Sequence, residues 1–143
     1  MKNKLVVLRG LPGSGKTTFA KQLVDRFGYK RFNKDDLKEM LDNGFYSRKN
    51  EAFITEVMYT MITMALKNKF DVIVDNVNFH PYHLRRCTDI AEKSEAELVI
   101  HNFEASLEVC IERDLQRTKG RVGKETIEKI YNKWFVDGKF PKE

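Results

Sequence analysis

The apolar run Leu5-Val6-Val7-Leu8 leads through Arg9 into Gly10-Leu11-Pro12-Gly13-Ser14-Gly15-Lys16-Thr17, and an amphipathic segment follows at once. A continuous apolar strand is expected where both of its faces are covered, as in the middle of a parallel sheet. Phe19, Ala20, Leu23, Val24 and Phe27 then recur at helical spacing, and Gly28 stands where a left-handed cap is favoured. The spacing therefore predicts a helix from about Lys16 to Phe27. Strand, glycine-rich turn and helix in that order leave few folds open. The turn fits GxxxxGK[ST] in the context that pattern requires. Its glycines let successive N–H groups turn toward one anion, and the helix N-terminus adds partial positive charge. Gly10, Leu11, Pro12, Gly13, Ser14, Gly15, Lys16, Thr17 and Thr18 are the expected phosphate-binding set. Within it, Lys16 would reach the transferred phosphate of ATP or another nucleoside triphosphate, and the Thr17 hydroxyl would ligate Mg2+.

Elements alternate along the rest of the chain. A short extended piece at Tyr29 to Phe32 precedes Asn33-Lys34-Asp35-Asp36, which can cap a helix that Leu37 to Leu41 continue and Asn43-Gly44 end. The longest helix is expected over about Glu51 to Lys69, with Ile54, Val57, Met58, Met61, Ile62 and Ala65 on one stripe. Val72 to Val74 form a strand ending in Asp75-Asn76, a helix follows Pro81, and Leu98 to Ile100 form a further strand. One helix begins near Ser106, and a last one carries Ile127, Ile130, Tyr131, Trp134 and Phe135. This alternation predicts an α/β domain over 1–143, a three-layer fold in which helices flank a short parallel sheet of about four strands, with the ligand site at the strands' carboxyl ends.

At 143 residues the chain can bury one core but has no room for a second catalytic domain. The short apolar runs predict neither a membrane span nor a signal peptide, and point to a cytoplasmic protein. Cys87 and Cys110 read as core thiols of a reduced protein, and His80, His83 and His101 as isolated polar or partly buried histidines rather than a ligand set. The net charge of +5 favours an anionic partner without choosing between nucleic acid and a phosphorylated metabolite. A chain this short looks more like a small kinase than a nucleotide switch.

Four segments, in order, resemble the kinase domain of the 5'-hydroxyl polynucleotide kinase of T-even bacteriophage. They are GLPGSGKTT from Gly10, NKDDLKEM from Asn33, IVDNVNFHP from Ile73 and IERDLQRTKGR from Ile111. The resemblance implies a four-stranded parallel sheet, an arginine-bearing C-terminal lid over about 113–124, and transfer of the ATP γ-phosphate to the 5'-hydroxyl of DNA or RNA. Residue by residue, it places the general base on Asp35 and the lid arginines on Arg113 and Arg117. It also sets Lys38 where the phage enzyme has a phosphate-contacting arginine, Asn78 in the acceptor segment, and Asp75 near the magnesium. On the residues alone, the acidic pair at 35–36 could equally cap a helix, and the arginines at i and i+4 could share a solvated face or hold an anion between them. The phage enzyme's DxDxT phosphatase motif is absent here. A small-metabolite kinase and a nucleic-acid-binding ATPase are the alternative readings.

Overall fold

The computed structural model describes residues 2–137, so the expected span 1–143 extends past them at both ends. Four strands, β1 (Lys4–Arg9), β2 (Lys30–Phe32), β3 (Val72–Asp75) and β4 (Glu97–Asn102), form one sheet in the order β2-β3-β1-β4. Every pairing is parallel, with Leu5 opposite Val72 on one side and Leu98 on the other. Alternate residues of β1 feed two separate cores. Leu5 and Val7 join Val72 and Val74 against Ile54, Met58, Ile62 and Leu66 of α3 (Arg48–Lys67) and Cys87 and Ile90 of α4 (Pro81–Lys93). Val6, Leu8 and Ile73 face Ala20, Phe19 and Leu23 of α1 (Lys16–Phe27) on the other side. Three layers result, and each large aliphatic side chain on the α3 stripe contributes about 1.5–3 kcal/mol by leaving water.

The element ends have local causes. Gly28, at φ 73, closes α1, and its N–H donates to the Val24 carbonyl. The Asn33 carboxamide accepts from the Asp36 N–H at 2.8 Å and starts α2 (Lys34–Asp42), which Asn43 ends at φ 57. Helix α3 begins three residues ahead of the expected Glu51, because the Ser47 hydroxyl caps it by accepting from the Asn50 N–H. It also stops short of Lys69, which lies at φ 66. Strand β4 outruns its apolar stretch because Glu97 and Asn102 keep pairing with Lys4 and Arg9, as backbone hydrogen bonds require no apolar side chain.

Beyond the sheet, α5 (Leu107–Leu115), α6 (Lys124–Tyr131) and a π-helical stretch, Asn132–Val136, build a third core. Leu11, Phe79, Cys110, Ile127 and Trp134 are buried in it. The last helix thus widens at Asn132 instead of running regularly through Phe135; Trp134 lies against Phe79 with ring centroids 6.1 Å apart. Both cysteines are buried free thiols. Among the described residues no helix is long and apolar enough to cross a membrane.

Candidate active site

At the carboxyl end of β1 the loop adopts the backbone its glycines permit, with Gly13 at φ 84 and Gly15 at φ 104. Gly13 is constrained twice, since a Cβ there would lie 2.4 Å from the Cys110 carbonyl oxygen of α5. The phosphate loop and the C-terminal helices therefore touch through backbone alone at this point. Gly13→Ala is expected to push α5 away, weaken nucleotide binding at least tenfold and lower the melting temperature; nucleotide titration and thermal melting of that variant check it.

Lys16 is buried, and its ammonium donates to the carbonyls of Gly10 at 2.8 Å and Leu11 at 2.9 Å. Burial is the main reason its pKa falls to about 8, with nearby Asp75 partly offsetting the loss of hydration. Phosphate bound beside it would favour the protonated form, so the complex holds more protons than the free protein once the pH passes about 8. Nucleotide affinity is accordingly expected to fall by up to about tenfold per pH unit above that point. Titrations from neutral to alkaline pH measure this, and a flat profile would show that Lys16 does not supply the charge the phosphates meet.

Thr17 follows at the start of α1, and its hydroxyl donates to Asp75 Oδ2 at 2.9 Å. Asp75, at the end of β3, is 1% exposed, and its Oδ1 has no hydrogen-bond partner among the described residues. A buried carboxylate oxygen left open beside a threonine hydroxyl, below a phosphate loop, is a donor set suited to a hard divalent cation. Magnesium therefore fits here, with Thr17 and Asp75 as the residues that would hold it. Arg31, which no local sequence pattern marks, bridges the two acidic positions: Nε donates to Asp75 Oδ2 and Nη1 to Asp36 Oδ2, both at 2.8 Å. Its pKa is raised; burial works against the rise, and the hydrogen bonds to Asp36 and Asp75 outweigh it.

Two asparagines fasten the start of α2 to the end of β3. Asn33 Nδ2 donates to the Asp75 carbonyl at 2.6 Å, and Asn76 Oδ1 accepts from the Lys34 N–H at 2.9 Å. Capping thus falls to Asn33, while the Asp35 side chain stays 85% exposed, 4.0 Å from the Lys38 ammonium. Lys38 also pairs with Glu51, whose other oxygen lies 3.1 Å from Lys34. Asp35, Lys16, Thr17, Asp75 and Arg117 line one cleft of about 260 Å³, as do His83 and the buried Asn78. Asn78 lies at φ 57, and its side-chain nitrogen donates to the Leu8 carbonyl at 2.7 Å, joining the ends of β1 and β3.

A second hollow, of about 280 Å³, shares Lys16, Thr17 and Arg117 with the first and is bounded further by Gly13, Gly15, Thr18 and Arg113. Arg113 reaches the loop directly, with Nη1 donating to the Gly13 carbonyl at 3.3 Å. Contrary to the expectation from their spacing, the two arginines do not share one helix face. Helix α5 ends at Leu115, and Arg117 sits in the following turn, where Nη1 donates to the Gly120 carbonyl at 3.3 Å and lies 3.6 Å from Asp114. Asp114 is a second residue without a local sequence signal. It is 1% exposed and accepts from the N–H groups of Val122 and Gly123 at 2.9 and 2.8 Å, tying the loop after α5 back to that helix. Of the histidines, His80 caps α4 and meets the His83 ring edge-on with centroids 6.4 Å apart, His83 Nδ1 lies 2.7 Å from the Tyr59 hydroxyl, and His101 stacks on Phe19. Burial lowers the His83 pKa to about 4, so its ring is neutral near neutral pH.

Residues 5–133 match the family described as AAA domain. The chain belongs to that family. Relatives of this AAA domain include the L-seryl-tRNA(Sec) kinase of Methanococcus maripaludis, 29% identical over an alignment of 137 residues that covers 94% of this chain and 53% of that protein. Another is a provisionally named bifunctional polynucleotide kinase/RNA ligase of Autographa californica nuclear polyhedrosis virus, 29% identical, with 96% of this chain matching 22% of that protein. The chain thus spans about half or less of these curated relatives. Among solved structures, the Pnkp1/Rnl/Hen1 RNA repair complex contains a chain that superposes with a TM-score of 0.75 at 28% identity, over 98% of this chain and 47% of that one. The resemblance to polynucleotide kinase-type domains is borne out, and the fold is that of P-loop kinases.

Proposed function

We propose that this AAA domain, with magnesium, transfers the γ-phosphate of ATP or another nucleoside triphosphate to the 5'-hydroxyl of a DNA or RNA strand. The observation that supports it best is the meeting of two hollows at Lys16 and Thr17, one beneath Arg113 and one beside Asp35. In-line transfer needs donor and acceptor to meet at the moving group, and two hollows that share Lys16 and Thr17 supply a place for each. Asp35 accepts the proton of the attacking hydroxyl while the new O–P bond forms and the bond to the leaving nucleoside diphosphate breaks. Lys16 holds the transferred phosphoryl group, and Arg113 and Arg117 neutralise charge spread over its oxygens. Magnesium would be held by Thr17 and Asp75, where it would offset the negative charge of the phosphates that repels an incoming hydroxyl. Lys38 would face the acceptor's phosphate as a point charge, and Asn78 would fix the floor on which the acceptor lies.

The test supplies γ-labelled ATP with 5'-hydroxyl oligonucleotides and, in parallel, with a panel of small alcohols. Label is expected on the oligonucleotides, with a half-saturating acceptor concentration that rises steeply with salt as displaced counterions are recovered. Label on the small alcohols alone would overturn the proposal. A second reading draws on the L-seryl-tRNA(Sec) kinase, whose match spans 94% of this chain: the acceptor would be a hydroxyl carried on tRNA. Adding seryl-tRNA to the panel separates the two.

A further inference from the structure

Beside the proposed acceptor cleft, the connection from α2 to α3 presents three aromatic rings to water. Phe45 is 62% exposed, Tyr46 68% and Phe53 57%. Surface rings standing singly need no explanation, but these three belong to one turn and the first part of the helix it enters. The turn is fastened rather than loose. The Phe45 N–H donates to the Asp42 carboxylate at 3.0 Å, and Asn50 Nδ2 donates to Asp42 at 2.7 Å and to the Phe45 carbonyl at 2.8 Å. With Ser47 capping α3, the rings stand on a support that requires no ordering when something binds.

Lys38 connects this surface to the cleft, since its ammonium lies 4.0 Å from the Asp35 carboxylate and 5.6 Å from the centre of the Tyr46 ring. Exposed Arg48 and Lys49 open α3 beside the rings, and Lys49 precedes Phe53 by one helical turn. Flat apolar rings alternating with cations match single-stranded nucleic acid, in which bases stack and the backbone seeks positive charge. We propose that Phe45, Tyr46 and Phe53 form a stacking ledge for the unpaired bases that follow the accepting end, so that the domain selects single-stranded acceptors longer than a single nucleotide. This rests on the 5'-kinase reading, with Asp35 marking where the strand begins.

The test follows transfer to oligothymidylates of increasing length that end in a free 5'-hydroxyl, and reads for each the acceptor concentration that half-saturates the rate. Binding of a 3'-fluorescent member of the series is measured by anisotropy, and both readouts are taken for wild type, Tyr46→Phe and Tyr46→Ala. Affinity is expected to rise with length and then level off. Tyr46→Ala should weaken longer strands about tenfold, as loss of one stacked base does, with turnover at saturation and half-saturation by a one-base acceptor nearly unchanged. Tyr46→Phe should keep the wild-type values, and thermal melting should show all three proteins equally folded. Equal affinity of Tyr46→Ala and wild type for the longer strands would overturn the ledge while leaving 5'-transfer standing. If the wild type labels no oligonucleotide, the transferase reading fails, and the anisotropy of the same strands still decides the ledge. A dimer in sedimentation that Tyr46→Ala dissociates, with strand binding untouched, would assign the rings to a second copy of the chain and likewise overturn it.

Discussion

Lys16→Ala is expected to lower phosphoryl transfer by about 10³-fold or more while leaving the chain folded. Removing one preorganised donor aimed at developing charge in a dry site costs on the order of 10²–10³-fold, and Lys16 carries a full charge rather than a dipole. Folding should survive because the variant exchanges two modest terms. It leaves the carbonyls of Gly10 and Leu11 without their ammonium donor, at about 1–3 kcal/mol, but it also abolishes an ammonium that burial already penalises. Labelled-phosphate transfer and thermal melting of the same preparation are the measurements. A folded Lys16→Ala protein that transfers phosphate at the wild-type rate would remove Lys16 from the chemistry.

The second large effect is expected at Asp35, where the structure makes the experiment cleaner than the sequence alone could. Because Asn33 supplies the cap of α2, Asp35→Asn disturbs no capping hydrogen bond. It removes one exposed charge near a helix N-terminus, which should change stability by less than about 1 kcal/mol. Nucleotide binding should also persist, since Asp35 lines the first cleft and is not among the residues that bound the hollow formed by Gly13, Gly15, Thr18 and Arg113. If Asp35 is the base, transfer to a 5'-hydroxyl should drop by roughly 10²- to 10⁴-fold at unchanged nucleotide affinity. Steady-state transfer, nucleotide titration and melting of this variant decide it, and transfer at the parental rate would reassign the proton to another acceptor.

What could be read from the sequence follows the range of each signal. The loop from Gly10 to Thr17, the buried strands and the α3 stripe are local patterns, so their type and approximate limits are visible from spacing alone. The ends of elements are less so: β4 extends through polar residues because pairing is a backbone property, and α3 starts early because one serine hydroxyl faces an amide. Arg31 and Asp114 leave no local trace. Each acquires its role only when distant segments meet, Arg31 between Asp75 and Asp36, and Asp114 beneath Val122 and Gly123. Arg117 shows the opposite error. Spacing puts it on the helix with Arg113, whereas α5 ends two residues earlier and its side chain turns to Asp114 and Gly120.

The core beneath the C-terminal helices contains the chain's single tryptophan, buried against Phe79 and within 6.0 Å of the His80 ring. That core also contains Leu11 of the phosphate loop and Cys110, whose carbonyl abuts Gly13. Indole emission depends on what surrounds the ring, and every photon from a tryptophan here comes from one address. The protein therefore carries its own optical reporter in the core that holds part of the phosphate loop, so a stopped-flow trace can read whatever nucleotide does to that core without a dye or a label.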